Sequence, residues 1–153
     1  MKAVGRIDDL DRDILKLLQA DSRMSYRGIA KALDVSHVNV STRIKAMEEG
    51  GVIRGYTAVT DPDTLDSYPL CLRISAGSGS DLSAIGSKVA EHEEISMVLR
   101  VSGECELLAL AMCRDRQSAV ELLDEISSIP GIEKAESHVV LEAIKLSGRK
   151  LTP

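Results

Sequence analysis

Between Val35 and Gly51 the chain reads VSHVNVSTRIKAMEEGG, a stretch whose polar residues carry hydrogen-bonding groups that match the edges and phosphates of a nucleic acid. Asn39 can pair with an adenine edge, Val38 or Thr42 can touch a thymine methyl, and Arg43 and Lys45 can reach phosphates or guanine. Ser36, His37 and Ser41 lie beside them, and Arg27 stands a helix earlier. Residues 22–45 carry Arg23, Arg27, Lys31, Arg43 and Lys45 against a single acid, Asp34. Such a local basic surface is the footprint of phosphate contact; without it, the same residue types would read as an ordinary solvated helix face. His37 fits a DNA contact or a structural place equally well.

Other reactive side chains are scattered. Cys71, Cys105 and Cys113 form no CxxC pair, and Cys105 and Cys113, if on one strand, stand roughly 26 Å apart, too far to share a metal ion. An odd cysteine count argues against a disulfide framework. His37, His92 and His138 have no ligand spacing, and His138, beside Val139 and Val140, reads as a packing or interface residue. No metal and no cofactor is expected. The N-terminus lacks the apolar core of a secretory signal and no apolar run approaches a membrane span, so the expected address is the cytoplasm, with no membrane partner.

A chain of 153 residues, 44% hydrophobic and 28% charged, can bury one ordinary core or two small ones. Net charge is −5, but it is unevenly spread. Residues 1–60 hold ten Lys and Arg against eight acids, a net +2, and the remainder is −7. That asymmetry predicts two domains with different partners.

The elements that must position these residues follow from periodicity. Leu10, Ile14, Leu17 and Leu18 recur at helical spacing behind a run of acids, which the helix dipole favours in a first turn. Ser25 can cap a second helix with Ile29, Ala30 and Leu33 on its apolar side, and Ser36 can cap a third. On a wheel, the third buries Val40, Ile44 and Met47 and turns Val38, Asn39, Thr42, Lys45 and Ala46 outward, a helix-turn-helix pattern. After Gly50 and Gly51, VIRGYTAVT predicts a strand and DPDTLDS a polar turn.

From residue 69 the order is strand, helix, strand, turn at Gly103, strand, helix, strand, the last running through IEKAESHVVLEAIKL. This βαββαβ order is ferredoxin-like, with Leu82, Ile85 and Val89 on one helix and Val120, Leu123 and Ile126 on the other expected to face a four-stranded antiparallel sheet. Leu107 to Cys113 is apolar at every position, so the sheet face away from the helices needs a cover, and a second copy of the chain is the expected one. The fold class is therefore α+β. The boundaries expected are 1–52 for the helix-turn-helix (winged-helix-like) domain, 53–68 for a linking strand and turn, and 69–153 for a ferredoxin-like oligomerisation and effector domain.

LDRDILKLLQADSRMSYRGIAKALDVS, RIKAMEEGGVIRGYTA, VSGECE and SIPGIEKAESHVVLEAIK, in this order and spacing, resemble the Lrp/AsnC, or feast/famine, transcriptional regulators from about Ile7 to Leu146. The resemblance implies a regulator of double-stranded DNA that works as a homodimer, often assembled into octamers, and responds to a small molecule, commonly an amino acid. It places that effector between C-terminal domains of adjacent dimers, at a turn that maps to Gly103, Glu104, Cys105 and Glu106, with Ser137 as the hydroxyl match on the last strand. Glu104 stands where the family usually has Asp, and Ala135, Glu136 and His138 stand where Thr and Ser are common. An exposed hairpin turn with ordinary surface acids is the competing reading of Glu104 and Glu106.

The same two-domain layout resembles siroheme decarboxylases, which makes an enzyme the alternative. A tetrapyrrole pocket wants large flat contacts, yet the chain has no Phe, no Trp and three Tyr. The regulator reading, with no enzymatic activity, is preferred. An RNA-binding sheet of the same order would stack bases on exposed aromatics, which the expected strands lack.

Overall fold

The computed structural model describes residues 7–146 and 148–150. Its contacts divide the chain into two compact units, one reaching Val59 and including a short hairpin after Lys145, the other spanning Thr60–Ile144.

The first unit holds α1 (Asp9–Ala20), α2 (Tyr26–Leu33) and α3 (His37–Glu49). Each start is capped by a side chain. Asp8 Oδ1 accepts from Asp11 N at 2.9 Å, Ser25 Oγ from Gly28 N at 3.1 Å, and Ser36 Oγ from Asn39 N at 3.2 Å, satisfying amides that no earlier turn could reach. The core is Ile14, Leu18, Ile29, Ala30, Val40, Ile44 and Met47, so the expected stripe of α3 is the observed one.

The predicted strand VIRGYTAVT does not form. Val52 N and Ile53 N both donate to Met47 O, at 2.8 and 3.0 Å, and the Tyr56 hydroxyl donates to Glu48 at 2.9 Å, which ties the segment to the end of α3. Its composition suits a strand, but a ladder needs a second strand, and none lies alongside among the described residues.

The second unit is a sheet with order β2-β3-β1-β4, all neighbours antiparallel, from β1 (Tyr68–Ala76), β2 (Ile95–Arg100), β3 (Leu107–Cys113) and β4 (Ile132–Val139). Helices α4 (Leu82–Val89) and α5 (Arg116–Ser127) complete the expected βαββαβ order. Leu70, Leu72 and Ile74 of β1 and Leu107, Ala109, Ala111 and Cys113 of β3 are buried with Ile85, Val89, Leu122 and Ile126. On α5 the buried stripe is Ala119, Leu122 and Ile126, one residue out of step with the expected set, and Val120 is 46% exposed. The alternate residues of β3, Leu108, Leu110 and Met112, are half-buried on the sheet's other face, in register with Arg73, Cys71 and Pro69 of β1.

The last strand is shorter than expected. β4 pairs with β1 as far as Leu70↔Val139, and Val140 N donates to Pro69 O at 2.9 Å. Beyond that point β1's chain has already turned through Pro62–Ser67, so nothing remains to pair with. The chain closes instead in a two-residue ladder of β5 (Lys145–Leu146) and β6 (Arg149–Lys150).

Candidate nucleic-acid interface

The side chains of α3 that point away from the core are those expected. Val38 is 59% exposed, and His37, Asn39, Thr42, Lys45 and Ala46 are exposed with it. A single exposed valine is ordinary on a protein surface, and here it offers a methyl surface that a thymine methyl can meet. Arg27 on α2 is exposed as well. Ser36 serves as the helix cap, and Ser41 is half-buried with its hydroxyl donating to Val38 O at 3.0 Å.

Arg43 makes bonds within the unit. Its Nη1 donates to Asp8 Oδ2 at 2.8 Å and to Asp11 Oδ1 at 2.7 Å, and its Nε donates to Asn39 Oδ1 at 2.9 Å. The side chain is only 29% exposed, and that of Asp11 12%. Arg43 therefore ties α3 to the start of α1. The two carboxylates do double duty: Asp8 and Asp11 also form the reciprocal capping box of α1, with Asp8 N donating to Asp11 Oδ2 at 3.1 Å. Bonded by the Asp11 amide and then by Arg43, Asp8 is held below the usual carboxylate range. Hydrogen bonds donated to Asp11 and Asp8 push the Arg43 guanidinium further up. Sequence reasoning passed over Asp8 and Asp11 as helix-dipole acids; the signal it could have used is the D-x-x-D spacing of a capping box.

In the second unit the loop from Val101 to Glu106 closes the β2–β3 hairpin, with Val101 N donating to Glu106 O at 3.0 Å. Gly103 has φ +131°, a region open almost only to glycine. Glu106 is anchored to the end of β1: its amide donates to Ile74 O at 3.2 Å and its Oε2 accepts from Ala76 N at 3.1 Å. Glu104 accepts from Arg73 Nη2 at 2.9 Å, an ion pair that the sequence did not announce because 31 residues separate its members. Gly103, Glu104 and Glu106 thus form one cluster. Ser137 lies on β4, in register with Leu72, on the side of β1 away from β3. His138 is exposed, opposite Cys71.

Comparisons with known proteins agree with both halves. The family described as winged helix-turn-helix DNA-binding matches residues 7–54, and that described as Lrp/AsnC ligand binding domain matches residues 70–149. An uncharacterised HTH-type transcriptional regulator of Pyrococcus furiosus is 38% identical over 91% of this chain and 94% of its own. The leucine-responsive regulatory protein of Klebsiella pneumoniae is 31% identical over 94% of this chain and 90% of its own. A transcriptional regulator of Neisseria meningitidis, solved as a complex with L-methionine, superposes with a TM-score of 0.75 at 25% identity, covering 91% of this chain and 92% of that one. These relatives are regulators, and they give the decarboxylase alternative no support. With the fold, the outward face of α3 and both family matches in agreement, this chain belongs to the Lrp/AsnC family of DNA-binding transcriptional regulators.

Proposed function

We propose that α3 enters the major groove of an operator and that Asn39, Thr42 and Val38 read base edges there while Lys45 and Arg27 contact phosphates. The observation that carries this is the outward face of α3, which joins an exposed valine to exposed hydrogen-bonding and basic groups beside the basic surface of α2. His37, exposed in the first turn of α3, adds a contact at the same edge, and Ser36 and Ser41 support the helix. A DNA target puts the protein in the cytoplasm, and among the described residues no helix is long and apolar enough to cross a membrane.

The protein works as a homodimer joined through the sheet faces away from α4 and α5, on which Leu108, Leu110 and Met112 stand half-buried. Two copies of α3 then read successive turns of a pseudo-palindromic site. Assembly beyond the dimer, to octamers, follows the pattern of the family.

The small-molecule effector is an amino acid bound at the Gly103 loop between C-terminal domains. Carboxylates of Glu104 and Glu106 suit an α-ammonium, and backbone amides next to Gly103 suit an α-carboxylate. Support comes from the ligand-binding family match over residues 70–149 and from the L-methionine held by the Neisseria regulator. Ser137 adds a hydroxyl to the same site from β4. The test is DNA affinity with and without each of the twenty amino acids, in wild type and Glu104→Ala. One amino acid should shift wild-type affinity or assembly and lose that effect in the variant, with DNA binding by the dimer retained. If no amino acid moves the wild type, the effector assignment fails while the DNA assignment stands.

A further inference from the structure

Two stretches expected to be strands have no strand to lie against. Residues 54–59, which follow α3, make no backbone–backbone hydrogen bond among the described residues. Residues 141–144 carry the chain on from β4, past the end of its ladder with β1, and make none either. In that continuation Leu141 is 93% exposed and Ile144 60%, and β4 itself stands at the edge of the sheet. An apolar extended edge of this kind is a template for a further strand.

Each stretch carries one charge, and the two are opposite in sign. Arg54 and Glu142 are exposed, and neither has an ion pair among the described residues. Laid antiparallel with Arg54 opposite Glu142, the sequences also set Val52 against Ile144, Tyr56 against Val140 and Gly55 against Leu141. Opposite residues in an antiparallel pair share a face, so apolar side chains meet, the charges pair, and the position without a side chain faces Leu141. The backbone agrees with this register. Val140 N donates to Pro69 O, so the amide and carbonyl of Val139, and of Leu141 in a chain that stays extended, point away from β1. Those are the groups that the register sets against Thr57 and Gly55. A slip of one residue would set Arg54 against Leu141 or Ala143 and lose the charge pair.

We infer that in the homodimer residues 54–57 of one copy add a strand to residues 139–142 of the other, with Arg54 opposite Glu142 of the partner subunit. The inference rests on the proposed homodimer. Both stretches are present in the single chain and stay unpaired there, which points to a second copy as the source of the strand. A two-fold axis makes the exchange reciprocal and gives two identical junctions. Val52 N, Ile53 N and the Tyr56 hydroxyl tie the segment to the end of α3. Each junction therefore fastens the α3 of one copy to the sheet of the other and sets the separation of the two helices on DNA.

The experiment uses the full chain as wild type, Arg54→Glu, Glu142→Arg and the double variant, with circular dichroism confirming each fold and sedimentation equilibrium reading the dimer. Each single reversal sets like charges opposite each other at both junctions and should weaken the dimer roughly tenfold, and the double variant should restore it. An equimolar mixture of the two single variants should dimerise as wild type does, because the mixed dimer has one junction of wild-type charges and one with the charges exchanged. Dimerisation unchanged by either single reversal overturns the pairing and leaves a dimer held by the sheet faces. A double variant that stays as weak as the single ones overturns it too. A double variant that recovers while the mixture does not would place the pairing within one chain. A monomeric wild type would remove the homodimer itself, and the inference with it.

Discussion

At the scale of single residues, charge and hydrogen bonding separate side chains that look alike in sequence. Lys45 and Arg43 are two positions apart on α3, yet Lys45 is exposed and Arg43 is drawn into a three-way bond with Asp8, Asp11 and Asn39. Lys45→Ala should therefore weaken binding to all DNA sequences alike and reduce the slope of log affinity against log salt by about one, measured by anisotropy across a salt series. Asp8 makes a prediction about pH. Its carboxyl titrates below the usual range in the folded chain, so its contribution to stability is present above about pH 4 and is lost as pH falls through the lowered value. Asp8→Asn should lower the melting temperature at neutral pH, with the gap to wild type closing as pH falls through the lowered value. The outward and inward faces of α3 were readable from sequence because 3.6-residue periodicity is a local property. The role of Arg43 was not, because its partner Asp11 lies 32 residues away and only the fold brings the two together.

At the scale of elements, caps and glycines decide where helices and strands begin. Ser25 and Ser36 cap α2 and α3 as their positions predict, since an Ncap hydroxyl needs only the amides of the next turn. Gly131 enters β4 with φ +95°, and a Cβ there would sit 3.0 Å from Ile85 Cδ1 and 3.2 Å from Ser80 Oγ. Gly131→Ala should destabilise the protein by about 1–3 kcal/mol, read by chemical denaturation. Elements whose state depends on a distant partner were the ones misread. VIRGYTAVT has strand composition but no strand beside it, and the last strand stops where β1 has turned away. On α5 the apolar residues Ala119, Val120, Leu122, Leu123 and Ile126 admit two overlapping stripes, and the sheet chose the one containing Ala119 and Leu122.

At the scale of the whole molecule, each unit has its own core, and in the second the sheet face away from α4 and α5 carries the half-buried Leu108, Leu110 and Met112. The unbroken apolar run of β3 predicts an apolar second face, because a strand with one wet face should alternate. Leu110→Lys changes a side chain on that face without touching the buried set of Leu107, Ala109, Ala111 and Cys113, and should give a folded monomer by analytical ultracentrifugation. A dimer retained by that variant would place the contact elsewhere. The central claim, that the outward face of α3 reads DNA, is tested most directly by anisotropy of a labelled fragment from upstream of the protein's own gene, titrated at two salt concentrations against unlabelled competitor DNA. Binding that resists the competitor in wild type and loses its sequence preference in Asn39→Ala is the predicted result; binding that the competitor abolishes equally for both proteins would contradict it.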